Sequence, residues 1–95
     1  MGKNNLTTNP YYLGQAATGI GSTNVFMIQN VEWVNPTTVN HRAYLYDSLG
    51  SVICDFTCVT PHLNLYKWLR ERGLSFTGPL TLANLDSGYL LLQVF

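Results

Sequence analysis

Charge is what this sequence has least of. Five Lys and Arg stand against five Asp and Glu, so 11% of the residues are charged and the formal net charge is zero, where about 25% charged is usual. Neither sign dominates. That excludes a basic nucleic-acid binder, an acidic mimic and a charge-driven disordered chain as readings of the whole protein. Long apolar runs are also missing, because the longest, Tyr89 to Leu92, is too short to span a bilayer. The opening residues, Met1-Gly2-Lys3-Asn4-Asn5-Leu6, carry one positive charge and no apolar stretch of the kind a secretory signal needs. Leu6 stands where the myristoylation pattern requires Ser or Thr. With no signal the Asn5-Leu6-Thr7 sequon is read as accidental. Cytoplasmic synthesis is the expectation.

Cysteine is scarce as well, with Cys54 and Cys58 the only two. Val52, Ile53, Phe56, Thr57, Val59 and Thr60 around them are β-branched or aromatic, so the segment reads as a strand. Four strand steps hold the two Cα atoms about 13 Å apart, well beyond the roughly 7 Å that a disulfide tolerates. Both thiols are expected on one face with Val52 and Phe56, buried and reduced. Adding His62 gives a Cys-x3-Cys-x3-His set that only a helix would align. Pro61 and the missing fourth ligand argue against metal there.

What is present is apolar and aromatic: 46% of residues are hydrophobic and 13% are Phe, Trp or Tyr. Ninety-five residues make one domain, and a small neutral domain tends to associate. Residues 1–24 show no sustained period and read as an extended N-terminal arm, with Gly14 to Ser22 a flexible connector. Tyr11, Tyr12 and Leu13 are its apolar handle, expected to dock on a neighbouring subunit, with a strand laid on the chain's own domain as the alternative. Gly19-Ile20-Gly21 resembles the start of a dinucleotide fingerprint, but Asn24 occupies the third glycine's place and no βαβ unit surrounds it.

Residues 25–95 read as a β domain. Val25, Met27, Val31 and Trp33 share one face of a period-two strand, and Phe26, Ile28 and Val34 share the other with Asn30 and Glu32. Asn35-Pro36 ends that strand. Arg42 to Asp47 and Ser51 to Val59 form a hairpin around Asp47-Ser48-Leu49-Gly50, with Tyr44 and Tyr46 opposite Ala43 and Leu45. Thr60-Pro61 then suits a helix start, Leu65, Trp68 and Leu69 have helical spacing, and Gly73 can stop it. The spacing predicts one short helix over 61–72, with a strand through Leu65–Leu69 as the alternative. Leu74 to Phe76, Leu80 to Leu85 and Tyr89 to Phe95 are strands, the last two joined by Asp86-Ser87-Gly88. The final strand is apolar on both faces: Leu90, Leu92 and Val94 suit the core, leaving Tyr89, Leu91 and Phe95 for another layer or another subunit.

Catalytic constellations are absent from the sequence. His41 and His62 each lie beside turn residues, Glu32, Asp47, Asp55 and Asp86 are scattered, and no nucleophile elbow, zinc motif or phosphate loop occurs. Lys67, Arg70 and Arg72 form the one positive cluster, diluted by Glu71, and read as a solvated face. No enzyme activity, cofactor or metal is expected.

Val31-Glu32-Trp33-Val34-Asn35-Pro36, the hairpin Tyr46 to Ile53 and Leu85-Asp86-Ser87-Gly88-Tyr89-Leu90-Leu91 resemble small virion proteins of tailed bacteriophages. The resemblance covers roughly residues 25–95 and implies a small antiparallel β-sandwich or jelly-roll-like domain with no catalytic residues. It also implies a capsid decoration or cement protein, or a tail-associated component. The implied location is the virion. The implied partners are further copies of itself, as a trimer or other small symmetric oligomer, and a major capsid protein, without nucleic acid or membrane. The residues expected at subunit contacts are Tyr11, Tyr12, Leu13, Tyr89, Leu91 and Phe95. A ligand- or glycan-binding module stacking sugars on Tyr44, Tyr46 and Trp68 is the alternative.

Overall fold

The computed structural model describes residues 10–21, 23 and 25–94. Nine strands follow one another: β1 (Tyr11–Leu13), β2 (Ala17–Ile20), β3 (Val25–Val34), β4 (Arg42–Tyr46), β5 (Val52–Thr57), β6 (Leu65–Trp68), β7 (Leu74–Thr77), β8 (Leu80–Leu85) and β9 (Tyr89–Val94). They form two antiparallel sheets, one in the order β1-β9-β3-β6 with β7 also on β3, the other β2-β8-β4-β5. The inner faces meet over one core that includes Phe26, Ile28, Val31, Trp33, Leu45, Ile53, Leu80, Leu82, Leu90 and Leu92. The domain is a small antiparallel β-sandwich.

Single-residue bulges decide which side chains reach that core. In β3 the pairing with β9 shifts between Ile28 and Asn30, leaving Gln29 as the extra residue. The shift turns Val31 and Trp33 to the side already taken by Phe26 and Ile28, and all four are fully buried. The strict alternation expected from the sequence, Val25 and Met27 on one face with Val31 and Trp33, is corrected by that one residue. A second shift, between Leu45 and Tyr46, inserts Ile53 into β5. Cys54 and Phe56 still point inward, but Val52 is turned out to solvent.

No helix forms among the described residues, so the helix expected over 61–72 is a correction. Within that span β6 pairs with residues 30–33 of β3, and β7, just after it, pairs with residues 25–28. The two are halves of one edge strand, interrupted by residues 69–73. Gln29 fixes the interruption: its carbonyl accepts from Leu69 N (2.7 Å) and Arg70 N (3.4 Å), and its side-chain amide donates to Glu71 O. Gly73 closes this excursion, donating to Arg70 O at 3.0 Å, instead of stopping a helix. Upstream, His62 N donates to Pro36 O (2.6 Å) and Leu63 N to Thr60 O (3.2 Å), so Thr60-Pro61 opens a turn. The apolar spacing of Leu65, Trp68 and Leu69 satisfies two periods, and pairing with β3 selects the strand. Leu65 and Lys67 face inward, half-buried, while Tyr66 and Trp68 face out.

The arm is also revised where it is described. Tyr11, Tyr12 and Leu13 pair with Leu92, Leu91 and Leu90 of β9, and β2 pairs with β8. Leu13 and Ile20 are buried in the core and Tyr11 packs against it. The alternative weighed for Tyr11–Leu13, a strand on the chain's own domain, is the one the structure has. Residues 1–9 lie outside the described part.

Two loops tie the sheets together. Asp47 is 3% exposed and accepts three backbone N–H groups: Leu49 (3.0 Å) and Ser51 (2.8 Å) on Oδ1, Thr77 (3.0 Å) on Oδ2. The β4–β5 turn is thereby joined to the end of β7. The loop between β8 and β9 is held by Trp33 Nε1 donating to Ser87 O (2.8 Å) and Thr37 N donating to Ser87 Oγ (2.9 Å). Arg42 N also donates to Asp86 Oδ2, at 2.8 Å. Gly88, at φ +66°, lets β3's end pass close by, since a Cβ there would stand 2.1 Å from Val34 O. Gly88→Ala should therefore lose more than about 4 kcal/mol, at the extreme of single substitutions. Gly50→Ala, at φ +83° but in open space, should lose only about 1–2 kcal/mol. Asp47→Ala leaves three donors without their acceptor and should lose about 2–4 kcal/mol. Urea denaturation of the three variants gives the ranking directly.

Candidate functional site

The two outer faces of the sandwich differ. On the four-stranded sheet, Arg42 pairs with Asp55 through Nε–Oδ1 (2.9 Å) and a second bond to Oδ2 (3.0 Å). Its guanidinium also lies 4.5 Å from the centre of the Tyr44 ring. The hydrogen bond from Arg42 holds the Asp55 carboxyl below its ordinary range and, reciprocally, holds the guanidinium protonated. Both side chains are over 40% exposed, so solvent screens the pair and its worth is small. Tyr44 and Tyr46 contact each other at 5.3 Å. This face has its charges paired and its rings partnered.

The five-stranded sheet presents a different surface. Across one rung, Tyr12 of β1 pairs with Leu91 of β9, Leu91 with Glu32 of β3, and Glu32 with Tyr66 of β6. The neighbouring rung is Gln93, Asn30 and Trp68, and a third sets Tyr89 beside Val34. Alternation within each strand turns these side chains away from the core, because their neighbours Leu13, Leu90, Leu92, Val31 and Trp33 are buried. Tyr12 is 59% exposed, Tyr66 63% and Trp68 64%. Tyr12 and Tyr89 touch, with ring centroids 5.1 Å apart. Glu32 is the single formal charge that the strands of this face turn outward. Its Oε2 accepts from Asn64 Nδ2 at 3.3 Å. Two aromatic shoulders thus flank a narrow polar stripe of Asn30, Glu32 and Gln93.

Of the residues expected at contacts, Tyr12, Tyr89 and Leu91 meet on this face. Tyr11 and Leu13 do not, because β-pairing turns them inward, and Phe95 lies outside the described residues. Trp68 belongs to this face, but Tyr44 and Tyr46 lie on the opposite side of the sandwich, so the stacking trio proposed for sugars is not brought together. The described residues enclose no pocket. Sequence reading missed Tyr66, although Leu65-Tyr66-Lys67-Trp68 does alternate with period two.

The titratable groups do not converge. His41 Nδ1 lies 2.8 Å from Ser87 Oγ and His62 Nδ1 lies 2.7 Å from Asn35 Oδ1, neither beside a carboxylate. Among the described residues no group of three or more His, Cys, Asp or Glu stands together as a metal site. Cys54 and Cys58 are free and buried. Burial pushes the Cys54 thiol up to about 12, against a weaker downward pull from Lys67. A raised folded-state value means that stability is complete below the unfolded thiol's value near 9 and declines as pH rises toward 12. Across that window the loss should be about 1.4 kcal/mol per pH unit. Melting temperatures at pH 8 and pH 10.5 should therefore fall further for the natural chain than for Cys54→Ala, and equal falls would refute the assignment.

No protein-family model, curated protein or solved structure matches this chain.

Proposed function

We propose that the protein is a non-enzymatic structural component of a virion, of the capsid decoration or cement kind known in tailed bacteriophages, which acts by adhesion. The observation that carries the reading is the outer face of the five-stranded sheet, where exposed aromatics surround one charge. The family likeness noted in the turn sequences supports the virion setting. Adhesion needs area and little else. Fully buried aromatics contribute about 150–250 Å² each. Tyr12, Tyr66 and Trp68, at 59%, 63% and 64% exposure, therefore offer about 280–465 Å² together. At about 25 cal/mol per Å² this is roughly 7–12 kcal/mol before the cost of association, which is itself about 4–15 kcal/mol. One contact is thus weak. A symmetric lattice that repeats it makes it strong without new chemistry.

A glycan-binding role has one observation in its favour: amide and carboxylate groups of Asn30, Glu32 and Gln93 lie between rings that are able to stack on sugar faces. It differs from the first reading in its readout. Mass spectrometry of purified particles should find the chain in stoichiometric amounts. The double variant Tyr66→Ser with Trp68→Ser should lower its occupancy at least about tenfold, as for loss of central aromatic contacts, while the melting temperature changes little. Absence from particles, or retention on immobilised oligosaccharides that the double variant loses, overturns the structural reading.

A further inference from the structure

We infer that the outer face of the five-stranded sheet is self-complementary, and that its occupant is a second copy of this chain held by reciprocal ion pairs between Glu32 of one copy and Arg70 of the other. The inference rests on the adhesive reading of that face and adds what covers it and in which orientation.

Glu32 limits the possible occupants. Its carboxylate stands on a rung between Leu91 and Tyr66, with Asn64 Nδ2 as a neutral partner at 3.3 Å. A purely apolar partner closing over this rung would take a carboxylate out of water without a counter-charge, which is strongly unfavourable. Whatever covers the face has to bring a cation to Glu32.

The chain carries such a cation on the far side of the neighbouring rung. Two residues past Trp68, in the excursion, Arg70 is exposed, and the bond from Arg70 N to Gln29 O (3.4 Å) anchors its backbone beside β3. Among the described residues the ion pair is Arg42 with Asp55, and neither Glu32 nor Arg70 has a salt-bridge partner among them. Asn30 and Trp68 are paired on one rung. Glu32 lies two residues beyond that rung in one direction, about 7 Å along β3, and Arg70 lies beyond it in the other, held beside Gln29 by the excursion. A two-fold axis lying in the face along this rung therefore sets Glu32 against Arg70 of the second copy, and Arg70 against its Glu32. Such reciprocity defines an isologous contact. The same axis brings Trp68, 64% exposed, against its mate at the centre, the place where interfaces concentrate their binding energy. An axis through the Glu32 rung would instead oppose two carboxylates. The exposed area is below that of a standard interface, so the dimer should form in the micromolar range.

Sedimentation equilibrium of the full chain tests this, with circular dichroism to establish folding. The natural chain should dimerise, and Glu32→Arg or Arg70→Glu should each weaken dimerisation at least about tenfold, whereas the double charge swap should return it to within about threefold. Glu32→Gln, a gentler change, should weaken it less than Glu32→Arg, and raising salt from about 50 to 500 mM should weaken the natural dimer severalfold. A natural chain that stays monomeric at about 100 μM, well above a micromolar dissociation constant, overturns the inference. So does a dimer indifferent to both single changes, or a swap that restores nothing. A monomer nevertheless present in purified particles sinks this inference and leaves the structural reading standing. A swap-sensitive dimer absent from particles does the reverse.

Discussion

The extra residue Gln29 is the constraint on which most of this structure depends. Without it β3 would alternate strictly, and either Phe26 and Ile28 or Val31 and Trp33 would face solvent. With it, all four enter one core, and Trp33 is placed to donate to Ser87 O and to stack on Phe56 at 6.3 Å. The same residue organises the other side of the strand. Its carbonyl and side-chain amide occupy three groups of the 69–71 segment, so the edge strand is broken where β3 bulges. One inserted residue thus sets the packing of the interior and the position of Arg70 on the exterior.

This also explains what was legible in the sequence. Strands with regular alternation declared themselves: Leu90, Leu92 and Val94 are buried, with Tyr89 and Leu91 on the far face, and Ala43 and Leu45 lie inside opposite Tyr44 and Tyr46. The hairpin at Asp47-Ser48-Leu49-Gly50 was equally readable, because its turn chemistry is local. The errors fall where long-range pairing overrides local pattern. A bulge leaves no mark in a period, so Val25 and Met27 were grouped with Val31 and Trp33, which the structure places on the opposite face. Residues 65–69 suit a helix by spacing and a strand by partner, and spacing alone does not contain the partner. The docking face was legible in part for the same reason. Tyr12, Tyr89 and Leu91 stood out as apolar residues without a core, whereas Tyr66 was hidden inside a misassigned helix.

The scarcity of charge gives each ionic group a distinct setting. Arg42 and Asp55 satisfy one another, and Asp47 is consumed by backbone donors. Lys67 is turned inward from the edge strand β6, near enough to Cys54 and Asp55 to act on their titration. An inward lysine on a sheet edge discourages another strand from pairing there, since closing that edge would trap its ammonium. Association through the β6 edge is disfavoured and association through the broad face is left open. For a protein this apolar, that difference separates closed assemblies from fibres.

The place of β9 has a consequence for how the molecule comes into being. It lies between β1 and β3, joining strands that precede it by more than fifty residues. Until Tyr89–Val94 has been synthesised, β1 has no partner and β3 lacks its longest one, while Leu13, Val31 and Trp33 have no complete layer beneath them. Local turns have time to form, but the sheet has to wait for its middle strand. Folds dominated by such distant pairings acquire structure slowly and expose apolar strands in the interval. The five-stranded sheet should therefore be the late-forming half of the sandwich, completed when its central strand is inserted between neighbours made much earlier.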